Sequence, residues 1–579
     1  MTGLDSNSRT IESVRPEAGG APEASSAVLH FLPSLTDIAF LMPLVFLFAR
    51  LQGVRTLLGD GDTGWHVRTG QWILAHHQVP RVDMFSYTMP GKPWFAWEWL
   101  WDVTFAVIYQ HGGLGSVVLV SMVVICLTFA LLYRLLLRKC GNPLVAIAVT
   151  CLAAAGTTIH WLARPHLFSM LFMVVFLDVL DRAYDGRKAL LWILPPLMAV
   201  WTNVHGGFFV GIVLVGAYAG GELIGAAVAE NRYDRIASAR ASLPYIYASL
   251  GCLAATLVNP YTYHLHVHLV KFLSDSFYLD NISEYLPTSF RGGTALYLEL
   301  ELALGLFAAL WWAARRRYVE GVLILGWAHL SLTVVRNAPL YMIIAAPVVV
   351  LPVREWLRAL GRAPVASWIR RIPAAIESTA AEMYPMELPW RTHLVPAVVV
   401  VLIALSIQSA PAGNKFLHAR YDPKKYPEAA LSYLSQPGLR IFTDDEWGDY
   451  LLYNLSPKGV KVFVDGRLDM YGTKFDEAYV DVLQVKYKWQ STLDKYGVNT
   501  IVMPVDDALT GALKESSRWR VVYDDTRAII FRRVESGTPS TDKVFTSGTG
   551  GRGRDLRVTA SSNVHPEDHV SQTEGAKVK

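Results

Sequence analysis

The residues best placed to do chemistry form one short stretch, Gly59-Asp60-Gly61-Asp62-Thr63-Gly64-Trp65-His66. Two carboxylates two positions apart in a glycine-rich turn can share a divalent cation. Alternatively, one acts as a general base while the other orients a ligand. The glycines permit tight backbone geometry. The competing reading is a solvated turn whose aspartates cap a helix. Glu98 and Asp102 are four apart and share a helical face. Glu98 is a candidate second acid, or else a water-facing charge suited to a helix start. Arg164 and His166 lie in an Arg-Pro-His sequence, where a cation suits a phosphate or diphosphate, although a snorkelling arginine looks the same. Arg336 has the same two readings. Asn203-Val204-His205-Gly206-Gly207 interrupts an apolar run, so Asn203 and His205 either bind hydroxyls or form a satisfied polar break. His264, His266 and His268 have strand-like spacing and read more simply as a wet interfacial loop than as metal ligands.

These residues need a frame, and composition sets it. The chain has 579 residues, 52% hydrophobic and 18% charged, against about 25% charged for soluble domains. A cytosolic globular enzyme is therefore excluded. With 53 Lys+Arg against 49 Asp+Glu the net charge is +4, which leaves no nucleic-acid footprint. The four cysteines, Cys126, Cys140, Cys151 and Cys252, form no close CxxC pair, so neither a disulfide framework nor a zinc site is implied.

Apolar runs long enough for a bilayer, ~20 residues each, fall near 35–57, 114–137, 143–161, 165–181, 189–204, 205–228, 241–259, 295–314, 318–335, 338–353 and 393–411. The expected fold is a polytopic α-helical membrane protein of about eleven spans. The connections 134–139, 181–188, 230–240, 315–317 and 354–392 hold 18 Lys/Arg in 67 residues, and the alternate set holds 7 in 90. The first set should face the cytoplasm. The N-terminus is then inside, and everything beyond residue 411 is outside. The acids, imidazoles, amides and arginines above, with Glu284, then gather at outer span ends, where an intramembrane or interfacial charge is a functional signal.

The stretch 98–111 is too short to span and is expected to lie in the outer interface or to re-enter partway. Six of the 18 tryptophans fall between Trp65 and Trp101, a headgroup-level preference that makes 59–112 an outer collar on the bilayer. Residues 1–32 lack a signal-peptide pattern, so the first span serves as insertion signal. The expected domains are a disordered 1–32, a membrane domain over 33–411 with outer loop 59–112, an outer α/β domain over 412–535, and a disordered tail over 536–579. In the α/β domain, strands at 439–443, 460–465, 499–504, 520–523 and 528–532 alternate with helices at 424–435, 447–455, 475–485 and 507–516, which predicts a mostly parallel sheet with a hairpin at Asp524-Asp525. Asp465-Gly466-Arg467 ends a strand and is either structural or a sugar or anion contact.

At these residues the chain resembles the GT-C superfamily of polyprenyl-phosphate-sugar-dependent glycosyltransferases, in its acidic motif after span one, its interfacial helix, its many spans and its C-terminal outer α/β domain. The stretches GDGDTGWHVRTGQWIL, HQVPRVDMFSYT and GKPWFAWEWL are similar to a bacterial subgroup that reads D-x-D-x-W-W-H-x-x-T-G and later E-W-L. WLARPH at 161–166, NVHGGF at 203–208, NPY at 259–261 and WGDYL…DGR at 447–467 also have counterparts there, so the resemblance covers about 35–533. It implies a catalytic carboxylate at Asp62, with Asp60 as its neighbour. The superfamily has metal-dependent and metal-independent members, so a divalent cation on Asp60 and Asp62 stays open. Where the subgroup often has Trp, this chain has Gly64, which is expected to widen the pocket.

The expected activity is inverting transfer of a sugar from a polyprenyl-phosphate donor to a glycan, lipid or protein acceptor at the periplasmic face of a bacterial inner membrane. Asp62 is the base; Glu98, His66, His166, Asn203 and His205 position sugar or acceptor; Arg164 and Arg336 hold the phosphate. Three other readings make different demands. A lipid-linked glycan transporter or flippase needs a polar path at mid-depth. A polymerase or ligase needs the arginines and histidines without the acids. A non-catalytic assembly protein leaves the acids facing bulk water.

Overall fold

The computed structural model describes residues 30–293, 295–389, 391–534 and 545–546. The expected disorder of 1–29 and of most of 536–579 lies outside them. Within the expected tail, Phe545–Thr546 forms a short strand instead.

Helices dominate. In chain order the principal ones are α1 (Leu35–Ala49), α2 (Asp62–His76), α3 (Trp99–Cys140), α4 (Pro143–Gly156), α5 (His166–Tyr184), α6 (Leu194–Val204), α7 (Phe209–Ala227), α8 (Arg232–Ala255), α9 (Tyr263–Leu273), α10 (Ala295–Ala313), α11 (Tyr318–Thr333), α12 (Ala338–Arg362), α13 (Ser367–Glu387) and α14 (Leu394–Ser409). Each of the eleven apolar runs is helical over most of its length. Among the described residues, four helices are long and apolar enough to cross a membrane: Trp99–Cys140, Gly206–Ala227, Ala295–Ala313 and Val335–Arg362. Leu306, Phe307 and Leu310 on α10, and Val401, Leu402 and Leu405 on α14, are exposed. Apolar patches of this kind belong against lipid rather than water, and the chain is membrane-embedded.

Local signals place the ends. Ser34 and Asp37 form a reciprocal capping box at α1, and Asn142 caps α4 ahead of Pro143. The short helix expected at 98–111 is the first part of α3. It breaks at Gly112-Gly113, where backbone angles leave the helical region, and Gly113 takes φ 59°. Glycine accepts that conformation without a Cβ clash.

The basic connections form their own clusters. Arg138 and Lys139 meet Asp181, and Arg354 and Arg358 meet Glu377. None of these residues lines the cavity described below.

The C-terminal domain is a five-stranded sheet of β1 (Ile441–Phe442), β2 (Thr500–Pro504), β3 (Trp519–Asp524), β4 (Ala528–Arg533) and β5 (Phe545–Thr546), in the order β1-β2-β4-β3-β5. It is mixed rather than mostly parallel. β1/β2 and β3/β5 are parallel, while β4 runs antiparallel to β2 and β3. The tight turn after Asp524 forces this, because a hairpin reverses the chain. The expected strand at 460–465 is reduced to isolated parallel bridges, in which Val462 pairs with Ile441 of β1 and with Ser86 of the first long loop: Tyr87 N–H donates to Val462 O at 3.0 Å and Val462 N–H to Phe85 O at 3.2 Å. Helices α15 (Asp445–Leu455), α16 (Thr473–Leu483) and α17 (Ala508–Glu515) fall near their expected places, and the helix expected at 424–435 shrinks to Leu431–Leu434.

The collar expected over 59–112 is not simply a surface on lipid. Trp65, Trp94 and Trp101 are buried, because α2 and its following loop are sandwiched between the helical body and the C-terminal domain.

Candidate active site

A cavity of about 370 Å³ lies between the helical body and the C-terminal domain. Asp60, Asp62, His66, Glu98, Arg164, His166, His205, Glu284 and Arg336 all line it. One side of it is apolar, with Phe209, Val213, Leu273, Leu330, Val334 and Leu340, and Asp445, Arg467 and Asp469 of the C-terminal domain add further charge to the lining.

Arg164 is the centre of the charged part. It reaches Asp62 Oδ2 at 2.6 Å, Asp60 Oδ2 at 3.2 Å and Glu284 Oε1 at 3.3 Å. Glu284 Oε2 continues to Arg336 at 3.1 Å. The result is a chain of alternating charge, Asp60–Arg164–Glu284–Arg336. Burial opposes ionisation of Glu284, but Arg336 and Arg164 outweigh it and hold the carboxyl at about 2. Burial also works against the Arg164 charge, and Asp62 and Asp60 overcome it. Asp60 has a local task as well: its Oδ1 accepts the Asp62 N–H at 2.8 Å, satisfying one of the orphan donors at the start of α2.

Beside this chain sits a nearly neutral network. His66 stacks on Trp65 with ring centroids 3.6 Å apart. It shares a 2.6 Å hydrogen bond with Asp102 and faces Glu98 at 3.5 Å. Burial, then Arg164, pushes the His66 imidazole well below its ordinary value, so it is neutral at pH 7. Burial raises Glu98 to about 8, so this carboxyl carries a proton at neutral pH. His205 faces the other Glu98 oxygen at 3.6 Å. Gly207 N–H donates to His205 Nδ1 at 3.0 Å, and Ser169 Oγ lies 2.8 Å from the same nitrogen. Accepting there places the imidazole proton on Nε2, the side of Glu98.

The C-terminal domain closes the site. Gly61 has no room for a side chain: a Cβ there would lie 2.7 Å from Glu446 O and 2.8 Å from the Asp449 Cβ. This close approach brings α15 onto the turn before α2. Arg467 is buried against Asp465 and Asp83, each at 2.7 Å, with its guanidinium 4.5 Å from the Trp94 ring. Its charge is therefore used in joining the first loop to the domain. Lys92 also bonds the Tyr471 carbonyl, and Thr88 donates to Phe463 O at 2.6 Å.

Several expectations change in three dimensions. Asn203 does not line the cavity. Its amide donates to Ala199 O and Val258 O, and its oxygen accepts from Trp99 Nε1, all at 2.7 Å; it braces the start of α3. His166 lines the cavity but shares a 2.6 Å hydrogen bond with His160 O. His264, His266 and His268 lie on α9, a helix rather than a strand. His266 bonds Thr256 and His268 bonds Asp469, so the three do not converge. Gly64 does not widen the pocket: a Cβ there would meet the Tyr453 Cβ at 2.6 Å, because this face of α2 packs on α15. Sequence reasoning assigns no specific role to Glu284 and misses Asp449; a carboxylate beside a glycine in both WGD and DGR is the one local hint.

The paired aspartates are suited to an arginine. Both direct an oxygen to Arg164, and among the described residues no group of three or more His, Cys, Asp or Glu stands where it could hold a metal. The residues present do not fit a resident cation on Asp60 and Asp62.

No protein-family model matches the chain, and no curated protein matches it. Solved structures do. The chain is similar to the Archaeoglobus fulgidus oligosaccharyltransferase tethered with an acceptor peptide, at 12% identity over 88% of this chain and 74% of that one, with a TM-score of 0.50. It also matches ArnT from Cupriavidus metallidurans bound to undecaprenyl phosphate, at 14% identity over 87% and 99% of the two chains, with a TM-score of 0.40. The first likeness shows the fold, and it agrees with the GT-C resemblance carried by the sequence motifs.

Proposed function

We propose that this chain, with its GT-C-like fold, is a membrane glycosyltransferase that moves a sugar from a polyprenyl-phosphate donor to an acceptor at the periplasmic face. The observation that carries this reading is the Asp62 carboxylate, 2.6 Å from the Arg164 guanidinium, in a cavity with one apolar side. A phosphate anion fits the two arginines, and an isoprenoid chain fits the wall of Phe209, Val213, Leu330 and Val334. An outer-face site also suits a lipid-borne donor, because nucleotide sugars stay in the cytoplasm. In this reading eleven spans place the N-terminus in the cytoplasm and residues 412–535 in the periplasm, as the loop charges require.

The chemistry follows from the geometry. Asp62 takes the proton from an acceptor hydroxyl or amine as that atom bonds to the anomeric carbon. The bond from the anomeric carbon to the phosphate oxygen breaks, and its electron pair leaves on the phosphate. Arg164 and Arg336 stabilise that charge through charge-assisted hydrogen bonds. Attack opposite the leaving group inverts the sugar. Protonated Glu98 is a hydrogen-bond donor to sugar or acceptor, and His205 Nε2–H is another.

The test is Asp62→Asn in proteoliposomes supplied with lipid-linked sugar from the same cell envelope. Loss of a general base predicts a fall of about 10²–10⁴-fold in transfer. Wild-type transfer by the correctly folded variant overturns the reading.

A further inference from the structure

Behind Asp62 lies a second carboxyl group. Asp449, from α15 of the C-terminal domain, is 2% exposed and does not line the cavity. Its Oδ1 accepts the Gly466 N–H at 2.8 Å, and its carboxyl is hydrogen-bonded to that of Asp62. A Cβ on Gly466 would lie 2.7 Å from both Asp449 Oδ2 and Asp62 Oδ1, so only glycine leaves room for the two acids to meet.

Carboxyl oxygens in hydrogen-bond contact need a proton between them. Asp62 Oδ2 is held by Arg164 at 2.6 Å, which fixes the anion on Asp62. The proton therefore belongs to Asp449. We infer that Asp449 is a positioning residue for Asp62, a neutral acid that donates one hydrogen bond to it and accepts one from Gly466. Asp62 is then clamped from two sides, by Arg164 of the helical body and by Asp449 of the C-terminal domain. Seating of that domain thereby becomes a condition for an ordered base. The inference rests on the reading of Asp62 as the base.

The surroundings agree. Burial, then the Asp62 charge, pushes the Asp449 carboxyl well above the ordinary carboxylate range. The charged groups facing the pair are Asp60 and Arg164 on the cavity side, and Asp465 with its partner Arg467 on the domain side. The Tyr421 hydroxyl, which bonds Gly61 O at 3.3 Å, faces both acids and is itself held protonated by burial. The cations in this set are already matched, Arg164 by Asp60 and Asp62 and Arg467 by Asp465 and Asp83.

The experiment compares three variants. Asparagine reproduces the pattern of a neutral Asp449, with an amide N–H for Asp62 and a carbonyl oxygen for Gly466. Asp449→Asn should keep transfer within about threefold of wild type, whereas Asp449→Ala should lose about ten- to a hundredfold, the cost of a hydrogen bond to a charged group. The loss should fall on kcat rather than on KM for the lipid donor. In a Glu98→Gln background, which removes the Glu98 titration near 8, an alkaline decline should remain as Asp449 ionises, and adding Asp449→Asn should abolish it. Infrared difference spectra of Asp449→Asn against wild type at pH 7, which need no turnover, should show loss of a protonated-carboxyl band. A folded Asp449→Asn as inactive as Asp62→Asn, a folded Asp449→Ala with full activity, or no missing protonated band each overturns the inference. An active Asp62→Asn overturns the base assignment instead, and the infrared result would still stand.

Discussion

Glu284 stands between the two guanidinium groups that the proposed function assigns to the phosphate. Its two oxygens bridge Arg164 at 3.3 Å and Arg336 at 3.1 Å, with the side chain 34% exposed. In a dry interior each pair would be worth many kcal/mol, but at this exposure each contributes about 0.5–1 kcal/mol after screening. An anion that engages both guanidinium groups must displace about 1–2 kcal/mol of competing interaction. Glu284→Gln removes the competitor, so affinity for the anion should rise about five- to thirtyfold. The same change should lower the Tm of the unliganded protein, because the interaction lost there is the one the anion no longer displaces. The ligand to titrate is a water-soluble short-chain polyprenyl phosphate, by calorimetry on detergent-solubilised protein at low and high salt. Glu284 is held at about 2. Its stabilising contribution is thus fully present above about pH 4.5 and is lost only as pH falls toward 2. Between pH 6 and 9 the gain in affinity should not vary with the Glu284 charge. Unchanged or weaker binding by Glu284→Gln would show that the carboxylate holds the arginines in place rather than blocking them.

Two further outcomes follow from the same geometry. Burial raises Glu98 to about 8, so the stability linked to its proton is full below about pH 4.5 and is lost as pH rises through 8. Glu98→Gln should flatten Tm against pH in that window and keep most activity at pH 7; an unchanged Tm profile would mean that the carboxyl is already ionised. Gly61→Ala forces a Cβ to 2.7 Å from Glu446 O and should destabilise the docked domain by about 1–3 kcal/mol, seen as faster limited proteolysis near 411–420; an unaltered digestion rate would contradict the close packing of α15 on this turn.

Part of the cavity lining is legible in the sequence. Asp60, Asp62, His66, Glu98, Arg164, His166, His205 and Arg336 stand out by residue type and position near the ends of apolar runs, and all eight line one cavity. The same reading misplaced Asn203, which holds Trp99 and two carbonyls, and gave the histidines of α9 a strand's spacing. In both cases the local pattern was compatible with two environments, and packing chose between them.

Apolar periodicity, the glycine-acid turn and the alternation of basic loops are properties of neighbouring residues. The chain alone therefore determined a body of apolar helices, a following segment of strands and helices, and the gathering of polar residues at the ends of apolar runs. Ion pairing is different. Asp60 and Arg164 are separated by 104 positions, and Asp83 and Arg467 by 384. Coulomb and hydrogen-bond energies depend on separations of a few ångströms, and spacing along the chain does not encode those distances. Only the folded arrangement decided that Glu284 bridges the two arginines, that Arg467 joins a loop to a domain, and that a second aspartate stands behind the first.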